Sequence, residues 1–134
     1  MKKLFLYILF LFSLAVTAQE SQDSIDKNIE FENLKLYKEN AQASYYHDKF
    51  DGRKTASGVK FDNSKLTAAH KKLPFGTKLK ITNEKNDKSV TVVVTDRGPF
   101  VNGREIDLSK KAFMDITSNK KSGVVFVKIE IIEN

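Results

Sequence analysis

Alternation of apolar and polar residues in short runs is the feature that most constrains the fold of this chain. The run "TKLKITN" places Leu79 and Ile81 on one face of a strand. The run "SVTVVVTD" places on one face of another strand Val90, Val92 and Val94. A third run, "GVVFVKIEII", aligns on one face Val125, Val127, Ile129 and Ile131. Because only a polar stretch separates the first two runs, they are expected to pair as a hairpin.

One segment departs from this alternation and has the spacing of a helix. "DLSKKAFMDI" carries Leu108, Ala112, Phe113 and Ile116 at helical intervals, and either Asp107 or Ser109 is placed to cap its first turn. Several strands with few helices indicate a mainly β fold that is closed or nearly closed into a small barrel, since closure removes exposed strand edges. The length of 134 residues and the 40% hydrophobic content suit a single core of this kind.

The first forty residues have a different character from the rest of the chain. A basic start, a short apolar run and the small residues "VTA" are typical of a secretory signal peptide, which we assign to residues 1–18. An uncleaved membrane anchor is the alternative, although the apolar run is shorter than the roughly 20 residues of a membrane-spanning helix. Residues 19–40 are predicted to be a linker or short helical extension, which leaves 41–134 as the folded domain. We therefore expect export to the periplasm or cell envelope, without stable membrane insertion.

Composition excludes several classes of function. The chain has no cysteine, which rules out disulfides, thiolate nucleophiles and thiolate metal sites. Its net charge of +6 falls to +4 when Lys2 and Lys3 are removed with the signal peptide. This mild basicity suits an anionic polymer such as cell wall, but it is too small to indicate a nucleic-acid partner. His47 and His70 lack the spacing of a metal motif, so no metal site is predicted, and no serine lies in the frame of a nucleophile elbow.

The remaining candidates for chemistry are polar residues at the ends of predicted strands. His70 ends "LTAAH", and Asp96 ends the valine-rich strand immediately before the turn Arg97-Gly98-Pro99. A rigid barrel can present side chains to a ligand at such positions. The spacing alone favours a structural role, in which Asp96 accepts hydrogen bonds from loop amides or pairs with Arg97 and His70 is a packed histidine. Both interpretations stay open on this reasoning.

Four longer motifs carry a resemblance to a known family. In chain order they read "ASYYHDKFDGRKTASG", "FDNSKLTAAHKKLPFGTKLKITN", "VVVTDRGPFVNGREIDLS" and "KKAF". Over residues 43–113 the chain resembles the rare lipoprotein A family of septal-ring lytic transglycosylases. The resemblance implies a six-stranded double-psi β-barrel with one or two short helices. It also implies cleavage of the bond between N-acetylmuramic acid and N-acetylglucosamine in peptide-free glycan strands of peptidoglycan, leaving 1,6-anhydro ends and requiring no cofactor.

The resemblance further implies roles for individual residues. A transglycosylase uses the C6 hydroxyl of the sugar as the attacking group, so one carboxylate can perform both proton transfers, and Asp96 is the expected acid and base. His70 is expected to complete the catalytic pair by hydrogen-bonding and orienting Asp96. Asp107 suits a helix cap and is left out of this pair. Arg97 would also shape the loop, and the residues expected to bind the glycan are Tyr45, Tyr46, Arg53 and Arg97.

One departure from the family pattern favours an alternative function. Many members of the family carry Glu where this chain has Val59, so one polar group of the expected site is missing. The alternative is a non-catalytic, expansin-like module that binds or loosens wall polysaccharide on a related barrel. A third hypothesis, a domain that docks a partner protein, has no positive feature in the sequence. For the first two we expect a monomer whose partner is the glycan strand of peptidoglycan.

Overall fold

The computed structural model describes residues 33–118 and 120–133. The predicted signal peptide, and residues 19–32 of the predicted linker, lie outside the described residues. Within the described ranges, no helix combines the length and the apolar character needed to cross a membrane.

The described residues contain six strands that close into a barrel in the order β1-β5-β2-β4-β3-β6. The strands are β1 (Leu34–Tyr45), β2 (Thr67–His70), β3 (Lys78–Asn83), β4 (Ser89–Asp96), β5 (Arg104–Leu108) and β6 (Val125–Ile132). The expected mainly β class and the expected barrel of six strands are both confirmed.

The barrel mixes parallel and antiparallel neighbours. β3 pairs antiparallel with β4, which confirms the predicted hairpin, and also with β6. β1 pairs parallel with β5, and β2 pairs parallel with β4 but antiparallel with β5. Because β2 and β4 run in the same direction side by side, their last residues, His70 and Asp96, lie at the same end of the barrel. In this sheet Ala69 is paired with Asp96 on one side and with Asp107 on the other.

Alternation along the strands forms the core as predicted. Leu79 and Ile81 on β3 are fully buried, as are Val92 and Val94 on β4. The inward residues of β6, Val127 and Ile129, are also fully buried. These side chains belong to one hydrophobic cluster, so a single continuous core fixes the strand ends on which the polar residues stand.

The helix α1 (Lys110–Ile116) covers part of this core with Ala112, Phe113 and Ile116. Its N-cap is Ser109, whose hydroxyl accepts a hydrogen bond from the amide of Ala112 at 3.3 Å. Asp107 is therefore not the helix cap: it lies inside β5, two residues before the cap. Two short 3-10 turns, Asp48–Phe50 and Lys120–Ser122, complete the described helical structure.

The first strand begins before residue 41, where the sequence places the start of the folded domain. Residues 34–40, which the sequence assigns to the linker, form the first part of β1. Asn40 has a positive φ of 50°, and its amide donates to the Glu84 carboxylate at 2.7 Å. The strand continues through Asn40, so residues 34–40 belong to the same strand as Ala41 and the residues that follow it.

Candidate active site

Asp96, at the end of β4, has a partly buried carboxylate with three hydrogen-bond donors. The Tyr46 hydroxyl donates to Oδ2 at 2.6 Å. The amides of Ala56 and Arg97 both donate to Oδ1 at 2.9 Å. The structural interpretation of Asp96, in which loop amides bind it, is thus confirmed for one oxygen. The side chain is nevertheless not enclosed, so the carboxylate is held in one orientation while it remains partly open to solvent.

Tyr46 is fixed from several directions. It follows β1, its amide donates to the Leu108 carbonyl at 3.0 Å, and its ring packs on Phe61 with centroids 4.4 Å apart. Burial raises the pKa of Tyr46, and the hydrogen bond to Asp96 and the charges of Asp96 and Asp107 raise it further. The tyrosine therefore keeps its proton and acts as a donor to Asp96.

Ala56, whose amide binds Asp96, lies in a short loop that folds back on itself. Lys54 and Lys60 form an isolated antiparallel bridge, and the buried Thr55 binds the Val59 carbonyl through its hydroxyl at 2.6 Å and its amide at 2.9 Å. Gly58 makes the turn with a φ of 92°, a conformation that side-chain-bearing residues rarely adopt. This local structure explains the run "KTASG", because it directs the amide of Ala56 toward Asp96.

His70 lies in a different environment, with 1% of its surface exposed. Its Nε2 is 2.9 Å from Glu105 Oε1, and its Nδ1 accepts from the amides of Lys72 and Leu73 at 3.1 and 3.2 Å. The prediction that His70 hydrogen-bonds Asp96 is wrong, because both ring nitrogens are used by other groups. Burial lowers the pKa of His70, and the contact with Glu105 opposes this effect only in part.

Arg97 connects the two strand ends. Its Nη1 donates to the carbonyls of His70 and Leu73 at 3.3 and 2.9 Å, and its guanidinium lies 3.8 Å from the centre of the Phe75 ring. Its own amide binds Asp96. The side chain is therefore committed to holding the turn after β2 against the turn after β4.

The remaining predicted binding residues separate into two groups. Tyr45 packs its ring on Phe113 at a centroid distance of 4.6 Å, so it joins the core and is not brought together with Asp96. Arg53 is exposed, and its guanidinium lies 5.4 Å from the ring centre of Phe50, which in turn contacts Tyr46 edge-on. Tyr46 and Arg53 thus flank the same side of the site.

Two acids that the sequence analysis did not place in the site lie on β5. Glu105 binds His70, while Asp107 accepts from the Ser44 hydroxyl and from Arg104 at 2.6 Å. The signal for both was present in "REIDL", where Ile106 and Leu108 are buried and the two acids alternate with them. Asp107 and Leu108 also fit the start of the predicted helix, and this concealed the period of two.

These observations define a class of protein, a double-psi β-barrel with an ordered, partly exposed carboxylate at the end of one strand. A family model described as "Lytic transglycolase" matches residues 38–129, and the chain belongs to this family. The resemblance seen in the motifs is therefore confirmed.

Curated relatives agree with this assignment. The chain is 46% identical over 105 residues to an endolytic peptidoglycan transglycosylase RlpA of Rickettsia felis, covering 76% of this chain and 46% of the relative. It is 51% identical over 90 residues to the protein of the same name in Campylobacter jejuni, covering 67% of this chain and 32% of the relative. The chain thus spans less than half the length of these curated relatives.

Solved structures share the fold at lower identity. A Streptomyces papain inhibitor matches with a TM-score of 0.57 and 23% identity, covering 70% of this chain and 93% of the inhibitor. An expansin from Clavibacter michiganensis matches with a TM-score of 0.56 and 19% identity, covering 70% of this chain and 50% of the expansin. These two similarities support the barrel architecture alone.

Proposed function

We propose that this protein is a peptidoglycan lytic transglycosylase that acts on peptide-free glycan strands and leaves 1,6-anhydro ends. The observation that carries the proposal is the state of Asp96: a carboxylate oriented by Tyr46 and two amides, at a strand end, and still open to solvent. The names of the relatives, endolytic peptidoglycan transglycosylases, support the same activity. We also propose that the protein is exported, because its substrate lies in the cell envelope.

The proposed reaction needs one carboxyl group. Protonated Asp96 gives its proton to the glycosidic oxygen, the bond from this oxygen to C1 of the muramic acid breaks, and the leaving sugar keeps the electron pair. The C6 hydroxyl of the same muramic acid attacks the electron-poor C1, and its proton passes to the Asp96 carboxylate. The bond from O6 to C1 closes the anhydro ring, water is not consumed, and Asp96 regains its starting state.

The neighbours of Asp96 suit this cycle. Because Tyr46 holds its own proton, it does not compete with the substrate for the proton of Asp96, and it can stabilise the carboxylate formed after proton donation. The amides of Ala56 and Arg97 offer the same support to the other oxygen. Three donors fixed before substrate arrives lower the cost of reorganisation during the reaction.

The surroundings of the site suit an anionic glycan. Arg53, Lys54 and Lys60 are exposed on the loop that carries Ala56, and a peptide-free muramic acid has a free carboxylate. Phe100, four residues after Asp96, is 83% exposed and offers an aromatic face to a sugar ring. We propose that a single copy of the protein binds the strand with Tyr46 and Arg53 on one side and Phe100 on the other.

The test is product analysis with matched variants. The purified protein is incubated with peptide-free glycan strands, and anhydro-ended fragments are measured by mass spectrometry for the wild type, Asp96→Asn and Asp115→Asn. We expect Asp96→Asn to lose at least about a hundredfold of the product, since it cannot donate or accept the proton. Asp115 is a solvent-facing partner of Lys111 on α1, so its variant should match the wild type. Equal product from wild type and Asp96→Asn contradicts the proposed mechanism.

A non-catalytic module that binds or loosens wall polysaccharide is the second candidate. The observation that favours it is Val59, an apolar side chain that is 57% exposed on the loop beside Asp96. The same experiment separates the two candidates. Retention of the glycan by the wild type without any anhydro-ended fragment assigns the protein to this second class.

A further inference from the structure

A chain of polar contacts leads from the outside of β1 to the buried imidazole of His70. The Lys38 ammonium lies 3.0 Å from Glu105 Oε2, and Glu105 Oε1 lies 2.9 Å from His70 Nε2. The Glu105 side chain is 20% exposed, whereas His70 is almost completely enclosed. Glu105 thus connects a solvent-facing lysine with an imidazole that solvent barely reaches.

The hydrogen bonds of His70 fix the position of its proton. Nδ1 accepts from the amides of Lys72 and Leu73, so it must carry a lone pair. The single proton of the neutral ring is then on Nε2, from which it is donated to Glu105. An acceptor at Glu105 therefore favours the one tautomer that can bind both amides.

This tautomer is linked to the backbone at Asp96. The two amides bound by Nδ1 shape the turn from His70 to Leu73, whose carbonyls accept from Arg97 Nη1. The amide of Arg97 binds Asp96 Oδ1. Loss of the His70 tautomer would release the turn, then the Arg97 side chain, and then one of the contacts that orient the carboxylate.

We propose that Glu105 is a positioning residue for the Asp96 site, acting by holding His70 as the Nε2-protonated tautomer. Its effect on product formation rests on the proposed function, but its effect on His70 does not. The proposal explains why a carboxylate is placed against an imidazole that has no access to substrate.

The charged groups around His70 allow a specific test. Glu105 faces the ring from β5, Arg97 from the turn after β4 and Lys71 from the turn of His70 itself, while Tyr37 of β1 packs its ring edge-on at 5.4 Å. Among these groups Glu105 favours the protonated imidazole, and the two cations oppose it. Removing the charge of Glu105 should therefore make His70 harder to protonate.

The first experiment is an NMR titration of the two histidines in wild type and Glu105→Gln. Glutamine keeps an oxygen that accepts from Nε2 but removes the charge. We expect nitrogen shifts of the same tautomer in both proteins, and a titration midpoint for His70 that moves to lower pH in the variant. His47, exposed near the start of the first 3-10 turn, is the internal reference and should not move. An unchanged His70 midpoint overturns the proposal.

The second experiment removes the acceptor with Glu105→Leu and measures amide exchange. We expect the amides of Lys72 and Leu73 to exchange at least about tenfold faster, because the tautomer that binds them is no longer favoured. The matched control is Glu130→Leu, since Glu130 is a similarly covered carboxylate, 16% exposed, whose lysine partner is Lys128. Equal exchange rates of the Lys72 and Leu73 amides in both variants overturn the proposal. If Glu105→Leu does not fold, the NMR titration of Glu105→Gln decides the proposal by itself.

The third experiment links Glu105 to product formation. We expect Glu105→Gln to keep most of the activity near neutral pH and to shift the acid limb of the pH profile to lower pH, as the His70 midpoint shifts. A merely structural role would lower activity at every pH without moving this limb. If the His70 titration midpoint shifts in Glu105→Gln but the acid limb of the pH–activity profile does not, the proposed connection between His70 and Asp96 is wrong. Absence of product from the wild type contradicts the proposed function and leaves the titration and exchange results to decide the role of Glu105.

Discussion

Asp96 and His70 end two neighbouring parallel strands, yet their surroundings differ sharply. Asp96 is partly exposed and receives its hydrogen bonds from a tyrosine and two loop amides. His70 is 1% exposed, and both of its nitrogens are engaged by Glu105 and by the amides of its own turn. Arg97 is the connection between them.

The sequence motifs predict that Asp96 and His70 form one catalytic pair, but their different surroundings suit two different roles. A group that exchanges protons with a substrate must be reachable, and only Asp96 meets that requirement. A group that fixes a turn must have stable partners, and His70 meets that one. In the proposed mechanism Asp96 is therefore the reacting group and His70 is a support, and Arg97 joins the two.

Replacing His70 should have the largest effect on the free energy of unfolding. His70→Ala leaves the amides of Lys72 and Leu73 without their acceptor and opens a cavity, so we expect a loss of about 3 kcal/mol. Urea unfolding measures this loss, and Asp96→Asn, which affects a more exposed side chain, should lose less than about 1 kcal/mol. Equal losses for the two variants would remove the distinction between support and reacting group.

Tyr46→Phe should have the next largest effect, this time on product formation. The variant keeps the ring that packs on Phe61 but loses the hydroxyl that donates to Asp96. We expect about tenfold less anhydro-ended product, in line with the loss of one hydrogen bond to a charged group. Tyr37→Phe is the matched control, because the Tyr37 ring contacts His70 and not Asp96. Wild-type activity in Tyr46→Phe would show that Asp96 does not need this donor.

Low pH should reduce the free energy of unfolding because His70 is buried. Burial holds the pKa of His70 below its ordinary 6.5, so as pH falls below this value the unfolded chain takes up a proton that the folded protein does not. Stability is therefore full above pH 6.5 and declines as pH falls toward the lower pKa of the folded state, by at most about 1.4 kcal/mol per pH unit for one proton.

Glu105 acts in the same direction at lower pH. Burial alone would raise its pKa, but the contacts with Lys38 and His70 outweigh burial and lower the pKa below 4.5. The stability that this carboxylate contributes is present above pH 4.5 and is lost as pH falls through its folded pKa.

Urea unfolding at pH 7.5, 6.5 and 5.5 measures the contribution of His70 apart from that of Glu105. His70→Asn should remove the decline in the free energy of unfolding over this pH range, while His47→Asn should keep it. A decline that persists in His70→Asn would assign it to another group.

Much of the barrel follows from the sequence, because burial imposes a period of two on β3, β4 and β6. Asp96 was also identifiable, since a carboxylate before Gly98-Pro99 ends its strand visibly. The partners of His70 were not identifiable in this way. Glu105 reaches His70 only because β2 and β5 are adjacent in the barrel, and adjacency of distant strands is set by the closure of the sheet rather than by local pattern. Tyr45 and Tyr46 show the same limit, since these neighbours in sequence have different partners: Tyr45, the last residue of β1, packs on Phe113, whereas Tyr46 binds Asp96.

Val59→Glu should have the smallest effect on stability and product formation, and it tests the surroundings of Asp96. The Val59 side chain is 57% exposed, so a glutamate there stays solvated and its charge is screened. We expect the free energy of unfolding to change by less than about 0.5 kcal/mol and product to change by less than about threefold.

The matched control for this substitution is Val124→Glu, which makes the same replacement at another exposed valine, 36% exposed and placed just before β6. If the precise position of a carboxylate matters to the substrate, Val59→Glu will raise product well beyond threefold while Val124→Glu will not. Asp96 would then be only one of two groups that the reaction requires, and the mechanism with a single carboxylate would be incomplete. If both variants stay within threefold, Asp96, with its three fixed donors, is sufficient for the proton transfers.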